Sequence, residues 1–140
     1  MEVDFSRILV PTDGSDAADS AVEYALHLAA DSDATLHALY VVDTRLYGDS
    51  GFSSLDVMVT DIEDRGIEIL DEVASRAEEH GIPIETKSCH GVPDEEIATY
   101  AREIDADIVV MGFQGETHTK KMGSTADHVL WELDRPVLTV

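Results

Sequence analysis

The chain has 140 residues, 44% of them apolar, and carries 30 acidic against 9 basic side chains, a formal net charge of −21. That length suits one domain with a single core, and so negative a surface argues against nucleic acid or anionic membrane as a partner. The single cysteine, Cys89, rules out an intrachain disulfide and a thiolate metal cluster.

Arg7-Ile-Leu-Val-Pro11 is a short apolar run that reads as a buried first strand. Thr12-Asp-Gly-Ser-Asp16 is a turn in which Ser15 or Asp16 can cap the next element. The apolar positions Ala21, Val22, Ala25, Leu26, Leu28 and Ala29 recur at helical spacing, which predicts a helix over residues 16–31. Thr35-Leu-His-Ala-Leu-Tyr-Val-Val42 is a second strand, closed by Asp43. Residues 44–54 hold two glycines and three serines and read as a mobile loop. Val59, Ile62, Gly66, Ile69, Val73 and Ala77 then mark a long helix running to about His80, with Gly81 as its C-terminal stop.

Ile82-Pro-Ile-Glu-Thr-Lys-Ser-Cys89 reads as an edge strand. Gly91-Val-Pro93 opens a helix with proline in its first turn and Ile97, Tyr100, Ala101 and Ile104 facing inward. Ala106-Asp-Ile-Val-Val-Met111 is the fourth strand. Beyond it lies a polar loop with Gly112, Gly115 and Gly123, closed by Ser124 and Thr125. Ala126, Val129, Leu130 and Leu133 form the inner face of a last helix, and Pro136-Val-Leu-Thr-Val140 is the fifth strand. Strands alternating with helices predict an α/β fold: one five-stranded, parallel, doubly wound sheet with helices on both faces, spanning residues 1–140 as a single domain.

The first residues, Met1-Glu-Val-Asp-Phe-Ser-Arg7, have no basic or apolar leader character, and no apolar run reaches membrane-spanning length, so a soluble cytoplasmic protein is expected. The acids are dispersed among apolar positions and only three of the bases are lysines, Lys87, Lys120 and Lys121. Such a surface resembles those of proteins from a high-salt cytoplasm, where a Debye length of about 3 Å screens self-repulsion.

Ligands of doubly wound sheets sit beyond the carboxyl ends of the strands, where the winding reverses. With the common order 3-2-1-4-5 that point lies between strands 1 and 4, which end at Pro11-Thr-Asp-Gly14 and at Met111-Gly112. Glycines let backbone N–H groups approach an anion, and a helix start offers unbonded N–H groups and a favourable dipole. Asp13 is placed to accept bonds from a ribose or an adenine amino group, its alternative role being a cap on the first helix. Val41 could meet an adenine edge through its backbone or simply pack in the core. Ser124 and Thr125 could bond phosphate or cap the last helix. Lys120 and Lys121 could contact an anion or be a solvated pair. The six histidines show no paired spacing of a zinc site.

Taken together, Ile8-Leu-Val-Pro-Thr-Asp-Gly-Ser15, Gly91-Val-Pro93, the glycine loop ending in Gly123-Ser124, and Pro136-Val-Leu-Thr-Val140 resemble a universal stress protein along the whole chain. The resemblance implies a Rossmann-like fold of the adenine nucleotide alpha hydrolase type and a homodimer through Val137–Val140. It also implies ATP, with or without Mg2+, held at positions matching Pro11, Thr12, Asp13, Val41, Met111, Gly112, Gly115, Gly123, Ser124 and Thr125. The family pattern is Gly-x2-Gly-x9-Gly-Ser/Thr, whereas this chain reads Gly-x2-Gly-x7-Gly-Ser and places Glu116 directly after Gly115. A shortened phosphate span leaves AMP or ADP as alternative ligands. Three readings follow: a nucleotide-binding regulatory module of the stress response, a nucleotide-independent interaction module, and a slow ATPase or self-phosphorylating protein with Ser124 or Thr125 as acceptor. No second group to orient an attacking water stands out in the sequence, so any hydrolysis is expected to be slow.

Overall fold

The computed structural model describes residues 5–46, 53–113 and 122–140. In chain order the elements are β1 (Arg7–Pro11), α1 (Asp16–Ser32), β2 (Thr35–Asp43), a 3-10 turn at Thr44–Leu46, and α2 (Ser53–Glu79). They continue with β3 (Ile84–Gly91), α3 (Pro93–Glu103), β4 (Ile108–Met111), α4 (Ser124–Glu132) and β5 (Val137–Thr139). The five strands form one parallel sheet in the order β3-β2-β1-β4-β5, the order expected from the sequence. Ile8 of β1 pairs with Leu36 of β2 on one side and Ile108 of β4 on the other.

Alternation along the strands divides the core in two. Ile8 and Val10, Leu36, Ala38, Tyr40 and Val42, and Ile108 and Val110 face a cluster completed by α1 and α2. Leu9, Leu39, Val109 and Met111 point to the other face, where α3 and α4 supply Ile97, Ala101, Ala126 and Val129. Each fully buried aliphatic side chain contributes about 1.5–3 kcal/mol, and both layers are needed to cover strands that are apolar on both sides.

The helix ends follow local chemistry. Ser15 caps α1, its Oγ accepting from Ala18 N–H at 3.2 Å. Gly81 ends α2 with φ +68°, Gly81 N–H bonding Glu78 O and Ile82 N–H bonding Ala77 O. That pair of bonds is a Schellman closure, and it delays β3 to Ile84 instead of Ile82. Asp105 plays the same part after α3 at φ +53°, with Ala106 N–H bonding Ala101 O, so β4 starts at Ile108 and not at Ala106. Residues 44–46 form the 3-10 turn and residues 53–54 already belong to α2; the remainder of the predicted 44–54 loop lies outside the described residues.

One inner-face assignment is corrected. Leu130 is 37% exposed, because only Ala126 and Val129 of α4 point at the sheet in so short a helix. Leu133 lies past the end of α4 in extended backbone. No helix among the described residues is long and apolar enough to cross a membrane.

Candidate functional site

The β1–α1 loop is built by three successive side-chain-to-backbone bonds. Gly14 N–H donates to Thr12 Oγ1 at 3.2 Å, Ser15 N–H to Asp13 Oδ1 at 2.9 Å, and Ala18 N–H to Ser15 Oγ at 3.2 Å. Short hydroxyl and carboxylate side chains fold such turns because they can reach backbone donors two or three residues on. Thr12 N–H also bonds Leu39 O at 2.9 Å, which carries the β1–β2 pairing one residue past the strand. Asp13 is therefore not the cap of α1; it closes the turn before the cap, and its carboxylate stays at the exposed surface of the loop.

Gly14 has φ +81°, and a Cβ there would stand 2.7 Å from Ile69 Cδ1, so the loop needs glycine for conformation and for space. At the end of β4, a Cβ on Gly112 would stand 2.9 Å from the Ala17 carbonyl carbon and 3.0 Å from Ala18 N. The missing side chain lets the strand end approach the start of α1, which brings the two loops together. Beyond it Gly123 N–H donates to Phe113 O at 2.7 Å and Phe113 N–H to Val140 O at 2.8 Å, pinning both ends of the glycine loop to each other and to the end of the chain.

Gly123 is the N-cap of α4 and no side chain caps it. Ser124 and Thr125 sit inside the first turn, so the capping role considered for them is corrected. First-turn N–H groups of a helix lack intrahelical partners and carry the positive end of the dipole.

Around these pieces lies a cavity of about 440 Å³ at the carboxyl ends of β1, β2 and β4, within the size range of small-molecule sites. Of the residues singled out from the sequence, Pro11, Thr12, Asp13, Val41, Met111, Gly112, Gly123, Ser124 and Thr125 all line it. Gly115, Glu116, Lys120 and Lys121 lie outside the described residues.

The sequence reading missed the far walls. Pro93 and Ile97 come from α3, Ile62 and Arg65 from α2, Asp43 from the end of β2 and Arg45 from the 3-10 turn after it. Arg45 Nε and Nη2 donate to Asp43 Oδ1 and Oδ2 at 2.9 and 2.7 Å. That bonding holds the Asp43 carboxyl below the usual carboxylate range. The charged lining is thus two carboxylates and two guanidiniums, a locally balanced patch on a chain of −21. The available signal for Arg65 was the glycine beside it, Gly66, in the middle of an otherwise regular helix. Among the described residues no group of three His, Cys, Asp or Glu side chains is arranged to hold a metal.

The fold and the cavity define a doubly wound α/β protein with a cavity of small-molecule size at its topological switch point. The model of the universal stress protein family matches residues 4–140, and the chain belongs to that family. A universal stress protein of Methanocaldococcus jannaschii is 36% identical over 97% of this chain and 82% of its own length. Among solved structures, the universal stress protein UspA of Lactobacillus plantarum superposes with a TM-score of 0.82 at 27% identity, covering 99% of both chains. A universal stress protein solved in complex with cAMP has a TM-score of 0.76 at 27% identity, over 99% of this chain and 98% of that one.

Proposed function

We propose that this universal stress protein binds an adenine nucleotide in the cavity at the ends of β1 and β4 and serves as a regulatory module of the stress response. The observation that carries the reading is the convergence of Asp13, Gly112, Gly123, Ser124 and Thr125 on one cavity. The cAMP complex of a relative supports an adenine ligand with a single phosphate. In this reading the base lies against Val41 and Pro11, Asp13 accepts from the ribose, and the phosphate rests on the first turn of α4. ATP is the ligand implied by the family. The two residues missing between Gly115 and Gly123 relative to the family pattern favour one with fewer phosphates. A Mg2+ ion, if carried in, would take its ligands mainly from the phosphates, with Asp13 as a carboxylate of the same cavity. Calorimetric titration of ATP, ADP and AMP, with and without magnesium, tests this. Micromolar binding lost in Asp13→Ala supports it; no binding of any of the three overturns it in favour of a nucleotide-independent interaction module.

We further propose that the module works as a homodimer through β5. β5 is the last strand of the sheet and is only half-buried. Val109 N–H bonds Pro136 O and Val140 N–H bonds Met111 O, so by strand alternation the Val137 and Thr139 N–H groups face the open edge. Thr139→Pro removes one outward donor without touching the β4 ladder, and light scattering should then report a monomer. An unchanged dimer would refute the interface.

A further inference from the structure

The position of α2 over the cavity has a local cause. A Cβ on Gly66 would run into Cδ1 and Cε1 of the Tyr40 ring and stand 3.0 Å from its Cγ. Glycine is disfavoured inside a helix, and here its missing side chain lets α2 settle onto the carboxyl end of β2. The preceding turn of the helix then forms a wall of the cavity with Ile62 and Arg65. The Arg65 guanidinium reaches the β1–α1 loop: its Nη2 lies 3.5 Å from where a Cβ on Gly14 would stand. α2 packs on the face of the sheet shared with α1, and α4 packs on the opposite face. Arg65 and the pair Ser124 and Thr125 thus line one cavity from helices on opposite faces of the sheet.

Charge decides what that group is. The chain carries −21, and of the two carboxylates lining the cavity Asp43 is engaged by Arg45 through two bonds. An anionic ligand entering so negative a protein needs a positive partner, and a guanidinium supplies a planar fork matched to phosphate oxygens. We propose that Arg65 contacts the phosphate of the bound nucleotide and makes the site select phosphorylated over neutral nucleosides. This rests on the adenine-nucleotide reading above.

The test is calorimetric titration of adenosine and AMP into wild type, Arg65→Gln and Arg65→Lys at one fixed KCl concentration. Losing a hydrogen-bonded charge pair should weaken AMP about ten- to a hundredfold in Arg65→Gln, leave adenosine within about twofold, and give Arg65→Lys an intermediate AMP affinity. If Arg65→Gln does not fold, Arg65→Lys decides alone: a reduced preference for AMP supports the contact, and an unchanged one overturns it. Where adenosine binding to wild type is too weak to register, the slope of AMP affinity against KCl takes its place, and loss of Arg65 should flatten it. Equal weakening of both ligands, or of neither, overturns the assignment of Arg65 while the nucleotide reading stands. Wild type that binds neither ligand overturns both.

Discussion

Gly66→Ala sets two opposed effects against each other at one atom. In an unobstructed helix interior alanine is better than glycine by about 1 kcal/mol, because it has less backbone freedom to lose. At this position the added methyl would overlap the edge of the Tyr40 ring. Tyr40 is 7% exposed and its ring lies in the cluster that includes Leu70 and Val73, so it cannot swing aside without opening that cluster. Overpacking of this kind costs about 1–3 kcal/mol, which outweighs the propensity gain. The expected balance is a loss of about 1 kcal/mol, or roughly 3–5 °C in Tm for a chain of this size. Thermal and urea melts of wild type, Gly66→Ala, Tyr40→Ala and the double variant measure it. With the ring gone the methyl has room, so Gly66→Ala in the Tyr40→Ala background should be neutral or stabilising, a coupling of about 1–3 kcal/mol. A single variant that melts at or above wild type, with no coupling to Tyr40, would refute the packing argument.

Gly112→Ala places its methyl against the backbone of Ala17 and Ala18, which cannot yield cheaply; it should cost about 1–3 kcal/mol in urea melts, and an unchanged midpoint would count against the close approach of β4 to α1. Asp33 ends α1 in a left-handed conformation at φ +54° and is exposed, so Asp33→Gly should raise stability by about 0.5–1 kcal/mol. Burial holds His37 below its ordinary 6.5 despite Glu85 of β3, whose carboxylate lies 3.3 Å from Nδ1, while Arg7 of β1 adds to the lowering. Tyr100 of α3 closes the site edge-on, beneath Lys87. The folded state therefore binds this proton less readily than the unfolded chain, and stability is lost as pH falls through 6.5 toward the folded value. His37→Phe should flatten that part of the pH profile relative to wild type. Finally, the melting temperature should rise from dilute buffer to molar KCl as the −21 charge is screened; an unchanged value would remove the case for a high-salt origin.

The strand–helix order was legible because every strand but the edge strand β3 is an apolar run bounded by turn chemistry, and central parallel strands buried on both faces leave little else they could be. Gly81 and Gly112 were legible for a similar reason: each stands at an element boundary, where a glycine has few uses. The walls contributed by α2 and α3 were not legible. Ile62 and Arg65 repeat at helical spacing like several other pairs in α2, and only the crossing of α2 over β2 decides which pair meets the cavity. The role of Asp13 in its turn was equally hidden. Asp13 and Ser15 both favour caps, and the choice between them depends on where helical backbone begins, which is Asp16.

The shortened loop and the arginine belong to one argument. Phosphate sites on glycine loops draw on many backbone N–H groups, each a partial charge. Between Gly115 and Gly123 this chain has seven residues, with Glu116 at their head, and the loop ends are tied by Gly123 N–H to Phe113 O. In the reading proposed above, a span two residues shorter than the family pattern offers fewer backbone donors, and Glu116 adds a negative charge to it. Both changes would weaken the hold on an anion, and the contact proposed for Arg65 would restore it at a single point, which suits one phosphate better than three. Several arginines tie elements together: Arg76 bonds Asp19 and Glu23 of α1, Arg135 bonds Asp105 and the Ala106 carbonyl, and Arg102 reaches the Glu132 carbonyl of α4. In a chain this short of positive charge, an arginine placed on the cavity wall beside a helix glycine has a chemical consequence, and the one proposed above is a preference for a nucleoside monophosphate.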